Sequence, residues 1–242
     1  MLSQRRLRGV RTHATLGGAF LSIFQYNAAT LSQIEGWLSR DRLTRYLGAT
    51  GGDLESAVKN HVYNTALSSA FFGPIQVLEV ALRNAFHREL TSAFGAAWYD
   101  EATFRVSPEI TRSIDDAKEA LNNHRLPSDA PHIVAALHFG FWTTLLAGRY
   151  EHQIWTPALN KAFPNYRAVM GKPAKRSIIS GQIDYLRGLR NRIAHHEPIF
   201  HRDLLADYRT LLRVASWLSS ELDKWIDYHS RILAVLPRRE VY

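Results

Sequence analysis

Apolar residues recur along this chain at the three- and four-residue steps of amphipathic helices, and no segment shows the convincing period of two expected of a half-buried strand. The first such stretch, about 32–47, has Leu31, Ile34, Trp37 and Leu38 on one face and Arg40, Arg42 and Arg45 on its polar side, with Ser32 placed to cap it. Ala49-Thr50-Gly51-Gly52 reads as a turn. Asp53 can cap a second helix, about 53–72, whose packing face is read as Ala57, Val58, Val62, Ala66, Ser69 and Ala70. Gly73-Pro74 should break or kink it, because proline lacks an amide donor and its ring crowds the preceding turn. A third helix, about 75–94, turns Ile75, Leu78, Leu82, Phe86 and Leu90 inward, while Glu79, Arg83 and His87 repeat every fourth position on another side.

Ser107-Pro108-Glu109 is a helix start with proline at the first position, and Ile110, Ile114, Ala117 and Leu121 mark the inward face of a helix reaching about 123. A loop at 127–130 precedes an apolar helix over 131–147, rich in His138, Phe139, Phe141 and Trp142. A short helix is expected at 155–163 and a loop at 164–172, beside which Lys172, Lys175 and Arg176 form a basic patch. The next helix starts near 173 or 174, carries Ile179, Ile183, Leu186 and Ile193, and should end near 194–196, since Pro198 disfavours helical geometry just before it. The longest regular helix is expected at 203–226. There Leu204, Tyr208, Leu211, Ala215, Leu218, Leu222 and Trp225 alternate steps of four and three, a heptad seam that could face both the core and a second chain. The expected fold is all-α, one helical domain over 31–236 with about seven to nine helices, preceded by a basic arm at 1–30 and followed by a tail at 237–242.

Composition narrows the chemistry. The chain has 242 residues, enough for a sizeable core, and no cysteine, which removes thiolate metal sites, disulfides and cysteine nucleophiles and fits a reducing cytoplasm. A net charge of +8 favours polyanionic partners such as nucleic acid. No apolar run approaches a membrane span, so no membrane partner is expected. Residues 1–15 hold four arginines and no acid. They read as a disordered basic arm or an upstream mis-called start rather than a signal peptide, and such an arm could touch RNA phosphates. Phosphate-binding glycine loops and nucleophile-elbow motifs are missing.

The densest chemistry lies in Leu186-Arg187-Gly188-Leu189-Arg190-Asn191-Arg192-Ile193-Ala194-His195-His196-Glu197-Pro198. Arg190 falls inside the apolar stripe between Leu186 and Ile193, where an arginine is costly to bury without a charged partner or a wet cleft. Asn191 and His195 share a helix face. Arg190 and His195 stand roughly 140° apart on an ideal helix. They converge only if the helix frays at His195 or another helix completes the site.

Arg190-Asn191-Arg192-Ile193-Ala194-His195-His196 resembles the signature of the HEPN superfamily, in particular its Abi-like (abortive-infection, phage-resistance) branch. Leu78-Glu79-Val80-Ala81-Leu82-Arg83-Asn84 and the Trp98-Tyr99 pair are similar to other parts of that family. The resemblance implies a HEPN-like bundle with additional N-terminal helices, acting as a cytoplasmic ribonuclease that needs no metal or other cofactor and works as a homodimer on RNA. A toxin–antitoxin role would add an RNA or protein antitoxin as partner.

Metal-free cleavage needs a base for the 2′-OH, an acid for the leaving 5′-oxygen and a cation at the phosphate. Histidine titrates in the range both proton roles require, and arginine binds phosphate through a planar fork. The candidate catalytic residues are therefore His195 as acid or base, Arg190 as phosphate clamp and Asn191 as orienter. His196 shares the acid role or packs. Arg187 and Arg192 hold RNA backbone or acidic side chains, and Glu79, Arg83 and Asn84 form a second polar cluster facing Arg190 or an ordinary surface pairing. Two plainer alternatives stand beside this. The His-His-Glu-Pro run could simply cap a helix, or His195, His196, Glu197 and His201 could hold a metal, although His-Glu-x-x-His is missing. A non-catalytic RNA-binding or dimerisation scaffold of the same fold is the functional alternative.

Overall fold

The computed structural model describes residues 24–104 and 106–237; the arginines of 1–15 and the tail beyond 237 lie outside the described residues. The described chain is all-helical, with no strand among the described residues.

The first expected helix is two: α1 (Ala28–Leu38) and α2 (Arg40–Ala49). Ser39 separates them at φ +66°, outside helical geometry, and its hydroxyl accepts from the Arg42 amide at 3.3 Å. Asn27, not Ser32, caps α1, accepting from the Thr30 amide at 2.9 Å. Ile34 is buried but Trp37 is exposed, so the apolar face of α1 is narrower than its pattern indicates.

The expected break at Gly73-Pro74 does not occur. α3 (Leu54–Phe94) is one 41-residue helix with Pro74 inside it, capped by Asp53. A proline within a helix costs about 3 kcal/mol. Phe71, Ile75 and Leu78, on either side of it, are all buried, and each such side chain returns about 1.5–3 kcal/mol. Fusing the halves also resets the inward stripe of the first. Reading back from Leu82 through Leu78, Ile75 and Phe71, it continues to Leu67, Asn64 and Asn60. Ala57 and Val58 are buried as expected, whereas Val62 and Ser69 are exposed. Once joined, α3 contains a window apolar and long enough to cross a membrane, a property that the central helix of a folded core also shows; 28% of that window is buried.

α4 (Pro108–Asn123) forms as its pattern indicates, burying Ile110, Ile114, Ala117 and Leu121. The expected 131–147 helix is interrupted. α5 (Ala130–Ala136) and α6 (Phe139–Thr144) are separated at His138, whose Nδ1 accepts from the Phe141 amide at 3.1 Å and so caps α6. A 3-10 turn (Gly148–Tyr150) and a π turn (Glu151–Trp155) lead into α7 (Thr156–Ala162). The expected loop at 164–172 contains α8 (Tyr166–Met170), with buried Tyr166 against Trp217 at 4.9 Å between ring centres.

α9 (Arg176–Ala194) carries the Arg-Asn-Arg stretch. The long C-terminal helix is also divided, into α10 (Leu204–Leu218) and α11 (Leu222–His229), because Ser219 is extended; α12 (Ile232–Val235) follows. The seam is thereby reassigned. Leu204, Tyr208, Leu211 and Ala215 are buried in the chain's own core, and Trp225, beyond the break, is half exposed. It is not a continuous stripe held out to a second chain. With these divisions the described residues form twelve α-helices rather than seven to nine.

Candidate functional site

α9 presents Ile179, Ile183, Leu186, Leu189 and Ile193 to the core. That stripe leaves Arg190 at its edge, over the middle of α3. There the arginine meets Glu79, Nε to carboxylate at 3.3 Å. The pair borders a cleft of about 350 Å³ lined by Phe72, Gln76, Glu79, Arg83, Arg190 and Ala194, among others. Arg83 enters the same cleft one turn after Glu79, and its Nε is buried without a hydrogen-bond partner among the described residues. Two guanidiniums against one carboxylate leave the cleft a net positive charge, and an anion could satisfy the donors that Glu79 does not.

His87, the next member of the every-fourth series, is turned elsewhere. Its Nδ1 accepts from the Trp98 indole at 3.0 Å, and burial holds its pKa below the usual histidine range. Asn84 is exposed on α3.

α9 ends where the sequence indicates, in a turn with two reversed hydrogen bonds. The His196 amide donates to the Ile193 carbonyl at 3.1 Å, and the Glu197 amide to the Arg192 carbonyl at 2.7 Å. This is the Schellman pattern, in which the residue after the cap takes left-handed geometry and is usually glycine. Here that residue is His196, at φ +56°. Arg192 and Glu197, the two residues such a turn brings together, form an ion pair at 3.2 Å. Arg192 also donates to the Pro198 carbonyl at 2.8 and 3.2 Å. It therefore builds the turn and holds an acidic side chain, one of the two roles its position suggested.

The loop after the turn is fastened to the core. Buried Asn64 accepts from the amides of Ile199 and Phe200 at 2.6 and 3.2 Å. Phe200 stacks on Tyr46 at 5.2 Å. Arg202 grips fully buried Asp207 with two hydrogen bonds of 2.8 Å, and Tyr185 donates to the same carboxylate.

Arg190, Asn191 and His195 are thus on one helix end, where the His195 amide donates to the Asn191 carbonyl at 2.9 Å, but among the described residues no side-chain hydrogen bond joins the three. Asn191 is half-buried and His195 is exposed, immediately after Ala194 at the cleft edge. Arg187 pairs with Asp184 at 3.2 Å on the surface. Two residues that sequence reasoning did not single out as site residues also reach the helix end. Arg42 of α2 donates to the His196 carbonyl at 2.9 Å. His61 of α3 lies with Arg42 and His196 in a neighbouring cleft, its pKa lowered by burial and then by the Arg42 charge. No spacing in the sequence links 42, 61 and 196; only the basic face of the first helix hinted at Arg42. His201 is likewise held below the usual range, by burial and then by Arg192, Arg45 and Arg202.

Among the described residues no group of three or more His, Cys, Asp or Glu side chains is arranged to hold a metal ion, and His195, His196, Glu197 and His201 form no such cluster. Compared with known proteins, the chain matches no family model, no curated sequence and no solved structure.

Proposed function

We propose that this protein is a metal-independent endoribonuclease of HEPN-like architecture, an effector of phage defence or of a toxin–antitoxin pair. The observation that supports it most is the cleft between α3 and α9, where Arg190 and Arg83 outnumber Glu79 and exposed His195 stands next along the chain from the cleft edge. In this reading a phosphodiester enters against the Arg190 fork. A base removes the 2′-OH proton and the 2′-oxygen attacks phosphorus. The bond to the 5′-oxygen breaks as an acid protonates it, leaving a 2′,3′-cyclic phosphate and a 5′-hydroxyl. His195 performs one of these transfers. Asn191 orients it or the phosphate, and His196 shares the acid role or packs.

One chain supplies one Arg-Asn…His set, so the second set comes from a second copy. A shallow apolar cleft lined by Pro74, Val77, half-exposed Trp225 and His229 abuts the arginine cleft through shared Gln76 and Val80. This face, rather than the 204–225 seam, is the proposed homodimer contact. An RNA or protein antitoxin would act by covering the same cleft.

The test is cleavage of a labelled single-stranded RNA in excess EDTA with end-group analysis. Cyclic or 3′-phosphate products, lost in His195→Ala together with growth arrest in bacterial cells, support the reading. Cleavage that requires Mg²⁺ and leaves 5′-phosphates overturns it. RNA binding without cleavage would favour the scaffold alternative.

A further inference from the structure

A second cleft opens on the other side of the α9 end. It lies between α2 and α3, also has a volume of about 350 Å³, and is lined by Arg42, His61, Thr65, Ser68, Ile193 and His196, among others. Unlike the Arg190 cleft, its lining includes no carboxylate. Arg42 is exposed and spends one donor, Nη1, on the His196 carbonyl. A guanidinium has five N–H donors, and no other hydrogen bond of the Arg42 side chain is formed among the described residues. One permanent cation, two imidazoles and two hydroxyl side chains around a hollow with no acid are suited to an anion with several acceptor oxygens, which is a phosphate.

Ile193 lines both clefts. The two basic hollows therefore sit back to back across the last turn of α9, with Ala194 and His195 following Ile193 along the chain. An RNA strand that placed one phosphate against Arg190 and continued across this ridge would bring its next phosphates to the second hollow.

We propose that the cleft of Arg42, His61 and His196 is a second phosphate subsite for the same RNA strand, so that the strand crosses the end of α9. This rests on the ribonuclease reading above, but its test does not need catalysis. The His196 turn then has a role beyond ending a helix: its left-handed geometry carries the carbonyl that Arg42 grips, which keeps the guanidinium at the mouth of the cleft.

The experiment is equilibrium binding of a ten-nucleotide 2′-O-methyl RNA, which cannot be cleaved, to the full chain carrying His195→Ala, at several salt concentrations. Each phosphate contact to a single strand contributes about 0.7 to the slope of log affinity against log salt, equivalent to about fivefold at 0.1 M. Adding Arg42→Gln should lower the slope by that amount. Because that change also removes the bond to the His196 carbonyl, Thr65→Glu provides an independent probe. Thr65 is exposed on α3, and a carboxylate there would repel a phosphate and compete with it for the Arg42 donors while leaving the Arg42 side chain itself in place. It should weaken binding by a similar factor with helical content unchanged, whereas Arg112→Gln on α4 should have less effect than either. If Arg42→Gln and Thr65→Glu bind like their parent while Arg190→Gln is weakened, the second subsite is wrong and the first reading stands. If the parent does not bind the oligonucleotide at all, both fail.

Discussion

Glu79 and Arg190, 111 positions apart in sequence, meet at 3.3 Å across the groove between α3 and α9. The pair is partly exposed, so its contribution to stability is small, about 0–1 kcal/mol. Its larger effect is on what the arginine can bind. Glu79→Gln removes the one carboxylate lining the cleft and should tighten binding of an uncleavable RNA several-fold, with a melting temperature within about 2 °C of wild type. Unchanged or weaker binding would mean that Glu79 does not compete with phosphate.

Arg190 is proposed to act through its planar fork. Arg190→Lys retains the charge and loses the paired donors, so cleavage should fall about 100-fold, comparable to losing one preorganised donor to a developing oxyanion. Lysine at wild-type rates would reduce Arg190 to a general electrostatic role. Steady-state cleavage of a short labelled RNA measures this.

His196 stands where a Schellman turn favours glycine. His196→Gly relieves the left-handed strain and should stabilise the fold by roughly 0.5–1 kcal/mol. If the imidazole takes part in proton transfer or phosphate binding, the same variant loses activity while becoming more stable. Denaturant unfolding and cleavage rates, compared on one preparation, separate these effects. A variant as active as wild type would show that only the backbone of His196 matters.

Asn64 holds the loop after α9 through two amides. Asn64→Ala leaves both without that acceptor and should cost about 2–4 kcal/mol. Because that loop follows the two histidines directly, activity should fall even at temperatures where the variant remains folded. Full activity at 20 °C would mean that the loop is held adequately by Arg202 and Asp207.

Burial lowers the pKa of His61, His87 and His201, with nearby arginines adding to the effect on the first and last. The folded chain therefore resists protonation at a pH where the unfolded chain already accepts it. The stability these residues contribute is fully present above about pH 6.5, the unfolded value, and is lost as pH falls below it. Protonating His87 at Nδ1 would also remove the acceptor for Trp98. The melting temperature should fall between pH 7.5 and 5.5. His87→Gln, whose side-chain oxygen can still accept from the indole, should reduce that fall, and an identical pH profile for the variant would exclude His87 as a contributor.

Local pattern alone determined much of this protein. The three- and four-residue steps marked α4 and the second half of α3, and Pro198 placed the end of α9 within two residues. The position of Arg190 in an apolar stripe announced that it needs a charged partner or water, because an unpaired buried guanidinium is too costly. Tertiary structure decided everything that depends on which faces meet. Pro74 did not divide α3, since the core on both sides outweighs one lost hydrogen bond, and that continuity redirected the inward face of the first half. The seam on α10 was used by the chain's own core, because a heptad pattern specifies an apolar face and not the surface that covers it. The every-fourth series on α3 raised Glu79 and Arg83 as a cluster facing Arg190 without choosing between that and a surface pairing, whereas Arg42 and His61 beside His196 were invisible in the spacing. Sequence periodicity reports neighbours within a few turns, whereas these contacts arise when helices far apart in sequence pack together.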